Sequence, residues 1–164
     1  MISKKIILTG SFGVGKTSLF NKFLYNKFNE KYLTTIGVKV DKKIIEIDQH
    51  EVSLLIWDIA GEVTQDKVPH SYFLGASGVI YVFDLTRPNT YENLSIELEY
   101  LRTKVPDGVI KVVGNKTDLL DPPLLRDFVE QSGVHYDLLT SAKTGENVEA
   151  LFHSIGREFV LNSI

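Results

Sequence analysis

The fold is decided by residues 4–17, which read KKIILTGSFGVGKT. A short apolar run leads directly into Gly10, and the glycine-rich stretch that follows ends in Lys16 and Thr17. This is the pattern GxxxxGK[S/T], which forms a phosphate-binding loop when a strand precedes it and a helix follows it. A chance match occurs in about one chain of this length in a hundred or fewer. The stretch therefore predicts a nucleoside triphosphate site in an α/β domain.

The residue types in this loop suit phosphate groups. Glycines let backbone N–H groups converge on the phosphates, and the N-terminus of the following helix adds partial positive charge. We expect Lys16 to bridge the outer phosphates, which also gives it a catalytic role, and Thr17 to ligate magnesium. A glycine-rich structural turn is the alternative interpretation. The predicted nucleotide-binding residues of this segment are Gly10, Ser11, Phe12, Gly13, Val14, Gly15, Lys16, Thr17 and Ser18.

The loop pattern does not distinguish between ATP and GTP as the bound nucleotide. A second motif distinguishes them. Residues 115–118, NKTD, follow the apolar stretch VIKVVG. A carboxylate at Asp118 can accept two hydrogen bonds from N1 and the 2-amino group of guanine, a pair that adenine does not offer. Alone, NKTD would be an ordinary polar turn; at the carboxyl edge of a sheet that holds a phosphate loop, it predicts guanine. A third loop at this edge, with the Ala142 N–H facing the guanine carbonyl, completes a base site of Asn115, Asp118, Ser141, Ala142 and Lys143.

Two further segments supply groups for the γ-phosphate and the metal ion. Residues 57–62, WDIAGE, end the third predicted strand, where Asp58 can hold magnesium through water and the Gly61 N–H can reach the γ-phosphate. Thr35, in the segment TTIGV, is the remaining oxygen ligand that such a site needs, although a threonine in a polar loop is by itself unremarkable. The predicted metal ligands are Thr17, Thr35 and Asp58.

Composition bounds the class of protein. With 164 residues, 43% of them hydrophobic and 24% charged, the chain fits one domain over residues 1–164. A formal net charge of −3 with scattered basic residues argues against a nucleic-acid surface. The sequence contains no cysteine, so we expect no disulfide, thiolate metal site, prenylation or palmitoylation. We expect a cytoplasmic monomer without a direct membrane anchor.

Short apolar stretches alternate with helical periodicity, which predicts an α/β fold. The strand candidates are KKIILT, GVKVDKKIIEID, VSLLIWD, GVIYVFDL, VIKVVGN and HYDLLT. The second and third are joined by a short turn at Asp48 and Gln49, so we expect an antiparallel hairpin there and parallel pairing elsewhere. Helices are predicted at residues 16–25, 66–74, 90–103, 122–131 and 146–161.

Five motifs follow one another in the order GSFGVGKT, TTIG, WDIAGE, NKTD and SAK. This series resembles that of the Ras superfamily and covers essentially the whole chain, and the stretches EKYLTTIGVKV, SYFLGASGVIYVFDLT and TSAKTGENVEALF are most similar to the Rab subfamily. The resemblance implies a P-loop NTPase three-layer fold: a six-stranded, mostly parallel sheet with one antiparallel hairpin strand and helices on both faces. It also implies a role in signalling or vesicle transport.

The resemblance implies further residue roles. Two switch segments are expected near residues 28–40 and 60–72. Phe28 is assigned to packing against the guanine and Lys116 to its opposite face. An apolar patch is assigned to effector, exchange-factor and activator proteins, with packing of the hairpin on the second helix as the alternative; it comprises Val40, Trp57 and Tyr72.

Three features depart from the family pattern. Glu62 stands where relatives usually have the glutamine that orients the attacking water, which predicts slow hydrolysis unless Gln65 comes into reach. Phe12 is bulky where many relatives have glycine or serine, and no arginine lies in either switch segment. The given sequence also ends soon after its last predicted helix, without the cysteine-bearing tail of Rab proteins, so we expect either a soluble switch or a prokaryotic or trimmed version of such a protein.

The sequence thus favours a switch that alternates between GTP–Mg²⁺ and GDP states, with Glu62, Lys16, Gly61 and Thr35 as its catalytic residues. The alternative is a GTP-binding adaptor with negligible hydrolysis, which Glu62 and Phe12 favour. A P-loop kinase acting on a small molecule is a weaker third hypothesis, because no acceptor site is evident and Asp118 selects guanine.

Overall fold

The computed structural model describes residues 1–29, 37–59 and 68–163. Within these ranges the backbone forms six strands and five α-helices. The strands are β1 (Ile2–Gly10), β2 (Val38–Ile47), β3 (His50–Ile59), β4 (Ala76–Asp84), β5 (Val109–Asn115) and β6 (Leu138–Thr140). The helices are α1 (Lys16–Tyr25), α2 (His70–Phe73), α3 (Leu94–Lys104), α4 (Pro122–Gln131) and α5 (Val148–Asn162). Short 3₁₀ helices lie at Pro88–Thr90 and Thr117–Leu119.

The strands of the described residues form one sheet in the order β2-β3-β1-β4-β5-β6. β2 pairs antiparallel with β3, and every other neighbouring pair is parallel. The two turn residues of the hairpin, Asp48 and Gln49, have φ values of 47° and 71°. Left-handed backbone at both positions suits a tight two-residue hairpin turn. The predicted mixed sheet with one antiparallel strand is confirmed.

Helices cover both faces of the sheet and bury two separate cores. Successive residues of β1 point to opposite faces: Ile6 packs with α1 and α5, whereas Ile7 packs with α3 and α4. In the first core the rings of Phe23 in α1 and Phe152 in α5 stack, with centroids 3.9 Å apart. A strand buried on both faces explains the continuous apolar run of β1. It also fixes the start of the glycine loop at the carboxyl edge of the sheet.

Some boundaries differ from the sequence prediction for local reasons. The described part of α2 begins at His70, because Pro69 has extended backbone, while Asp66 lies outside the described residues. α3 begins at Leu94, after the 3₁₀ helix at Pro88–Thr90. α5 begins at Val148 because the preceding residue, Asn147, is left-handed with φ of 59°.

The predicted strand at 135–140 is shorter than expected, since pairing with β5 covers only Leu138–Thr140. Among the described residues, no helix combines the length and apolar character required to cross a bilayer.

Burial on α5 gives a test of the first core. Leu151 is fully buried and Leu161, on the same helix, is 63% exposed. Leu151→Ala should lower the free energy of unfolding by about 2 to 5 kcal/mol because it leaves a cavity. Leu161→Ala, the matched control, should change it by less than about 0.5 kcal/mol. Urea unfolding at one fixed nucleotide concentration measures both, and equal losses would contradict the assignment of the core face.

Candidate nucleotide-binding site

The glycine loop between β1 and α1 needs glycine at both of its ends. Gly10 has φ of 145° and Gly15 has φ of 102°, values that other residues rarely adopt. A Cβ atom on Gly10 would lie 2.2 Å from the Val82 carbonyl oxygen, and one on Gly15 would lie 2.2 Å from Nδ2 of Asn115. The loop therefore packs directly against the ends of β4 and β5, with no room for a side chain at either place.

Side chains at the end of β5 hold the outer carbonyl groups of this loop. The Lys116 ammonium donates to the Gly13 carbonyl at 2.8 Å, and the Asn115 amide donates to the Val14 carbonyl at 3.1 Å. In a planar trans peptide the C=O and N–H bonds point in opposite directions. Fixing these carbonyls outward therefore turns the following N–H groups, of Val14 and Gly15, to the inner side of the loop, as a phosphate site requires.

The Lys16 ammonium lies inside the loop, 3.1 Å from each of the carbonyl oxygens of Gly10 and Ser11. The residue is only 6% exposed. Burial lowers the pKa of Lys16 to about 8, and the nearby Asp58 carboxylate acts in the opposite direction. A phosphate group placed beside this ammonium would relieve the cost of burying a positive charge, so the residue fits the predicted phosphate contact.

Two oxygen ligands suited to magnesium meet at the start of α1. The Thr17 hydroxyl donates to Oδ2 of Asp58 at 2.6 Å, and both residues are buried. Hydroxyl and carboxylate oxygens are ligands that Mg²⁺ prefers. Thr17 and Asp58 therefore fit the predicted ion. The third predicted ligand, Thr35, lies outside the described residues, as do Gly61 and Glu62.

The two predicted base loops are joined to each other by side chains. The Ser141 hydroxyl donates to Oδ1 of Asp118 at 2.7 Å, which holds the carboxylate expected to read guanine. Oδ1 of Asn115 accepts from the Thr140 hydroxyl at 3.0 Å and from the Ala142 N–H at 3.3 Å. The N–H assigned to the guanine carbonyl is thus directed at Asn115 in this structure.

Other predicted residues lie around the same edge. Phe28 is half-buried and packs against the first core, and Ser18 is the third residue of α1. Lys143 is exposed on the loop after β6. Phe12, within the glycine loop, is 43% exposed.

The residues predicted to meet partners lie together on the sheet. Val40 of β2 pairs across from Trp57 of β3, and the rings of Trp57 and Tyr72 are 5.8 Å apart between centroids. Val40 is 45% exposed, whereas the other two are half-buried. The ammonium of Lys5 lies 3.8 Å above the Trp57 ring and donates to the Leu74 carbonyl at 2.9 Å. The patch is thus packed against β1 as well as presented outward.

Sequence reasoning missed Asp84, the last residue of β4. Its carboxylate is fully buried and forms an ion pair with Lys116 at 2.9 Å. The sequence feature that could have identified it is a charged residue at the end of the apolar strand GVIYVFD. This strand ends at the same sheet edge as the predicted nucleotide-binding loops. A buried carboxylate needs a partner, and here that partner is the lysine that holds the glycine loop.

A glycine loop between a buried parallel strand and a helix, with further loops at the same sheet edge, defines the P-loop class of nucleotide-binding proteins. The sequence model of the Ras family matches residues 5–161. The Ras-related protein Rab-4B of human, rat and mouse is in each case 39% identical to this chain over 166 residues, covering 98% of this chain and 77% of the relative. The chain belongs to the Ras family and is a Rab-like, GTP-binding small GTPase.

Asp118 gives a direct test of base recognition. Asp118→Asn should shift the preference from guanine to xanthine nucleotides, because the amide offers a donor to the base oxygen that replaces the 2-amino group. Competition binding with GDP and xanthosine diphosphate measures the shift. Asp121→Asn, the same change at an exposed site three residues on, should leave the preference as it is. An unchanged guanine preference in Asp118→Asn would refute the assignment.

Proposed function

We propose that this protein is a molecular switch that alternates between GTP–Mg²⁺ and GDP states and hydrolyses GTP slowly. The observation that carries the proposal is the hydrogen bond between Thr17 and Asp58. It joins the first turn after the phosphate loop to the end of β3, where the chain enters residues 60–67. A change in the ligands around Thr17 would therefore alter its hydrogen bond to Asp58, and with it the position of the backbone that leads into the second switch segment.

In this proposal the glycine loop binds the phosphates through its inward N–H groups and Lys16, and Asp118 with the loop 141–143 reads guanine. Thr17, Asp58 and Thr35 would hold magnesium, which supplies positive charge to the phosphate oxygens. The alignment of backbone donors in advance of binding reduces the ordering cost of binding a nucleotide. The donor geometry around Val14 and Gly15 supports this assignment.

The same bond connects the nucleotide to the patch of Val40, Trp57 and Tyr72. Trp57 immediately precedes Asp58, so a shift of the carboxylate is transmitted to the ring by the shared backbone. We propose that effector, exchange-factor and activator proteins bind this patch. The likeness to Rab proteins favours a cytoplasmic protein acting in vesicle transport.

Glu62 is the reason for proposing slow hydrolysis. A carboxylate near the γ-phosphate places two like charges together, and at about 4 Å this costs about 4 kcal/mol at an effective dielectric constant of 20. An ionised carboxylate also accepts hydrogen bonds but donates none, unlike the amide of glutamine. The residue is therefore poorly suited to orienting water beside a γ-phosphate.

A GTP-binding adaptor with negligible hydrolysis is the second candidate. The exposed side chain of Phe12 favours it, because a bulky ring on the glycine loop limits the approach of an activating protein to the phosphates. An arginine supplied by such a protein accelerates hydrolysis by about 10³ to 10⁵ where it operates. The two candidates differ in the rate of hydrolysis, not in nucleotide specificity.

Single-turnover hydrolysis of preloaded GTP separates them. Glu62→Gln should raise the rate at least about tenfold, because it removes a negative charge worth several kcal/mol of repulsion. Glu51→Gln, the same substitution at an exposed residue of β3, serves as the control and should match the native rate. A measurable native rate supports the slow switch, and a rate of zero supports the adaptor. If the native protein hydrolyses GTP as fast as Glu62→Gln or faster, the explanation by like-charge repulsion is wrong.

Trp57 is the single tryptophan of the chain and provides an internal reporter. Its emission should differ between the GDP-bound protein and the protein loaded with a non-hydrolysable GTP analogue, because Asp58 follows it directly. Tyr72→Phe retains the ring contact and should preserve the difference. Tyr136→Phe is a control for the loss of a tyrosine, because Tyr136 packs against the same core but beside Phe128 of α4. Identical spectra in the two nucleotide states would argue against coupling at this patch.

A further inference from the structure

Arg87 lies far from the glycine loop in sequence but contacts it in the fold. Its Nη1 donates to the Phe12 carbonyl oxygen at 2.8 Å, across a separation of 75 residues. Its side chain is 39% exposed, so this contact forms at the rim of the loop rather than in the core. Sequence reasoning placed no role on this arginine because it lies outside both switch segments.

The backbone of Arg87 is held in a tight turn after β4. Its N–H donates to the Asp84 carbonyl at 3.0 Å, and its own carbonyl accepts from the Thr90 hydroxyl at 2.7 Å. The Thr86 hydroxyl and N–H both donate to Oδ1 of Asp84, at 2.6 and 2.8 Å. The arginine therefore extends from a fixed base, which lowers the entropy lost when its guanidinium binds the loop.

The buried Asp84 carboxylate orders two cations. Its Oδ2 lies 2.9 Å from the Lys116 ammonium and 3.9 Å from the Arg87 guanidinium. The two cations in turn hold adjacent carbonyl groups, those of Gly13 and Phe12. One buried negative charge thus organises both contacts, and burial limits its screening by salt.

Three successive loop carbonyls are consequently held by side chains from the ends of β4 and β5. Arg87 binds the Phe12 carbonyl, Lys116 binds the Gly13 carbonyl and Asn115 binds the Val14 carbonyl. Because C=O and N–H point in opposite directions in each peptide, the N–H groups that follow face the inner side of the loop. By binding the Phe12 carbonyl, Arg87 orients the first of these groups, the Gly13 N–H. Gly13 has a φ of 76°, so the loop bends at this residue.

We propose that Arg87 is a positioning residue for nucleotide binding, which fixes the Phe12–Gly13 peptide so that the Gly13 N–H faces the phosphates. The inference rests on the proposed function, since it requires this loop to bind a guanine nucleotide. Arg87 contacts the loop from outside and acts through the peptide, not by touching the nucleotide. Losing it removes one hydrogen bond from a charged donor and frees the peptide to rotate.

The test is the dissociation rate of fluorescently labelled GDP from the Mg²⁺-bound protein. Arg87→Ala should release the nucleotide about tenfold faster, the effect expected for one hydrogen bond from a charged donor. Arg87→Lys should recover most of the native rate, because an ammonium can still donate to the carbonyl. Arg102→Ala is the matched control: its Nη1 also donates to a backbone carbonyl, that of Gly108, at 2.8 Å, far from the loop.

Melting temperatures of the same variants, measured without nucleotide, separate positioning from general stability. Arg87→Ala and Arg102→Ala should melt alike while differing in GDP release. The proposal is wrong if Arg87→Ala releases GDP at the native rate. It is also wrong if Arg102→Ala accelerates GDP release as much as Arg87→Ala, or if Arg87→Lys does not recover the native rate. If the native protein retains no guanine nucleotide at all, the proposed function fails instead, and the two failures are thereby distinguished.

Discussion

The site depends on the hydrogen bonds made by the side chain of Asn115. Its amide nitrogen binds the Val14 carbonyl, and its oxygen accepts from Thr140 and Ala142, so one buried residue joins three loops that belong to β1, β5 and β6. The residue is 1% exposed, and an unsatisfied amide at such a site would cost about 1 to 3 kcal/mol. Its position also explains why Gly15 has no side chain, since a Cβ there would collide with this amide.

Beside that residue, side chains outside the loop hold the carbonyls of Phe12, Gly13 and Val14, whereas those of Gly10 and Ser11 face Lys16. Cationic side chains on the outer rim, ordered by the buried Asp84, stabilise partial negative charge on the carbonyls and leave partial positive charge on the inner N–H groups. Lys16 adds a full positive charge within, at the cost of burial that lowers its pKa. The loop is therefore arranged for an anion before one binds, which is how preorganised donors contribute most.

The two cores make the carboxyl edge of the sheet rigid at β1, while β3 beside it carries the residues that can respond to a ligand. β1 is buried on both faces, so the start of the glycine loop cannot shift without disturbing both cores. β3 ends beside it, and its last residues carry Asp58 next to Trp57, whose ring faces a partly exposed surface. A rigid strand beside a hydrogen bond that ligands can alter is a suitable arrangement for a two-state element.

Local signals in the sequence determined much of this protein: the bounds of α1 and α4, the hairpin turn and the glycine loop follow from glycine, proline and apolar spacing. The position of Asn115 and Asp118 at the end of β5 was also predictable from the sequence, because their motif follows an apolar stretch. Tertiary structure alone decided that Asp84 and Arg87 belong to the site. Their contacts span 32 and 75 residues, and only the pairing of β4 between β1 and β5 brings them to the loop, which no periodicity along the chain encodes.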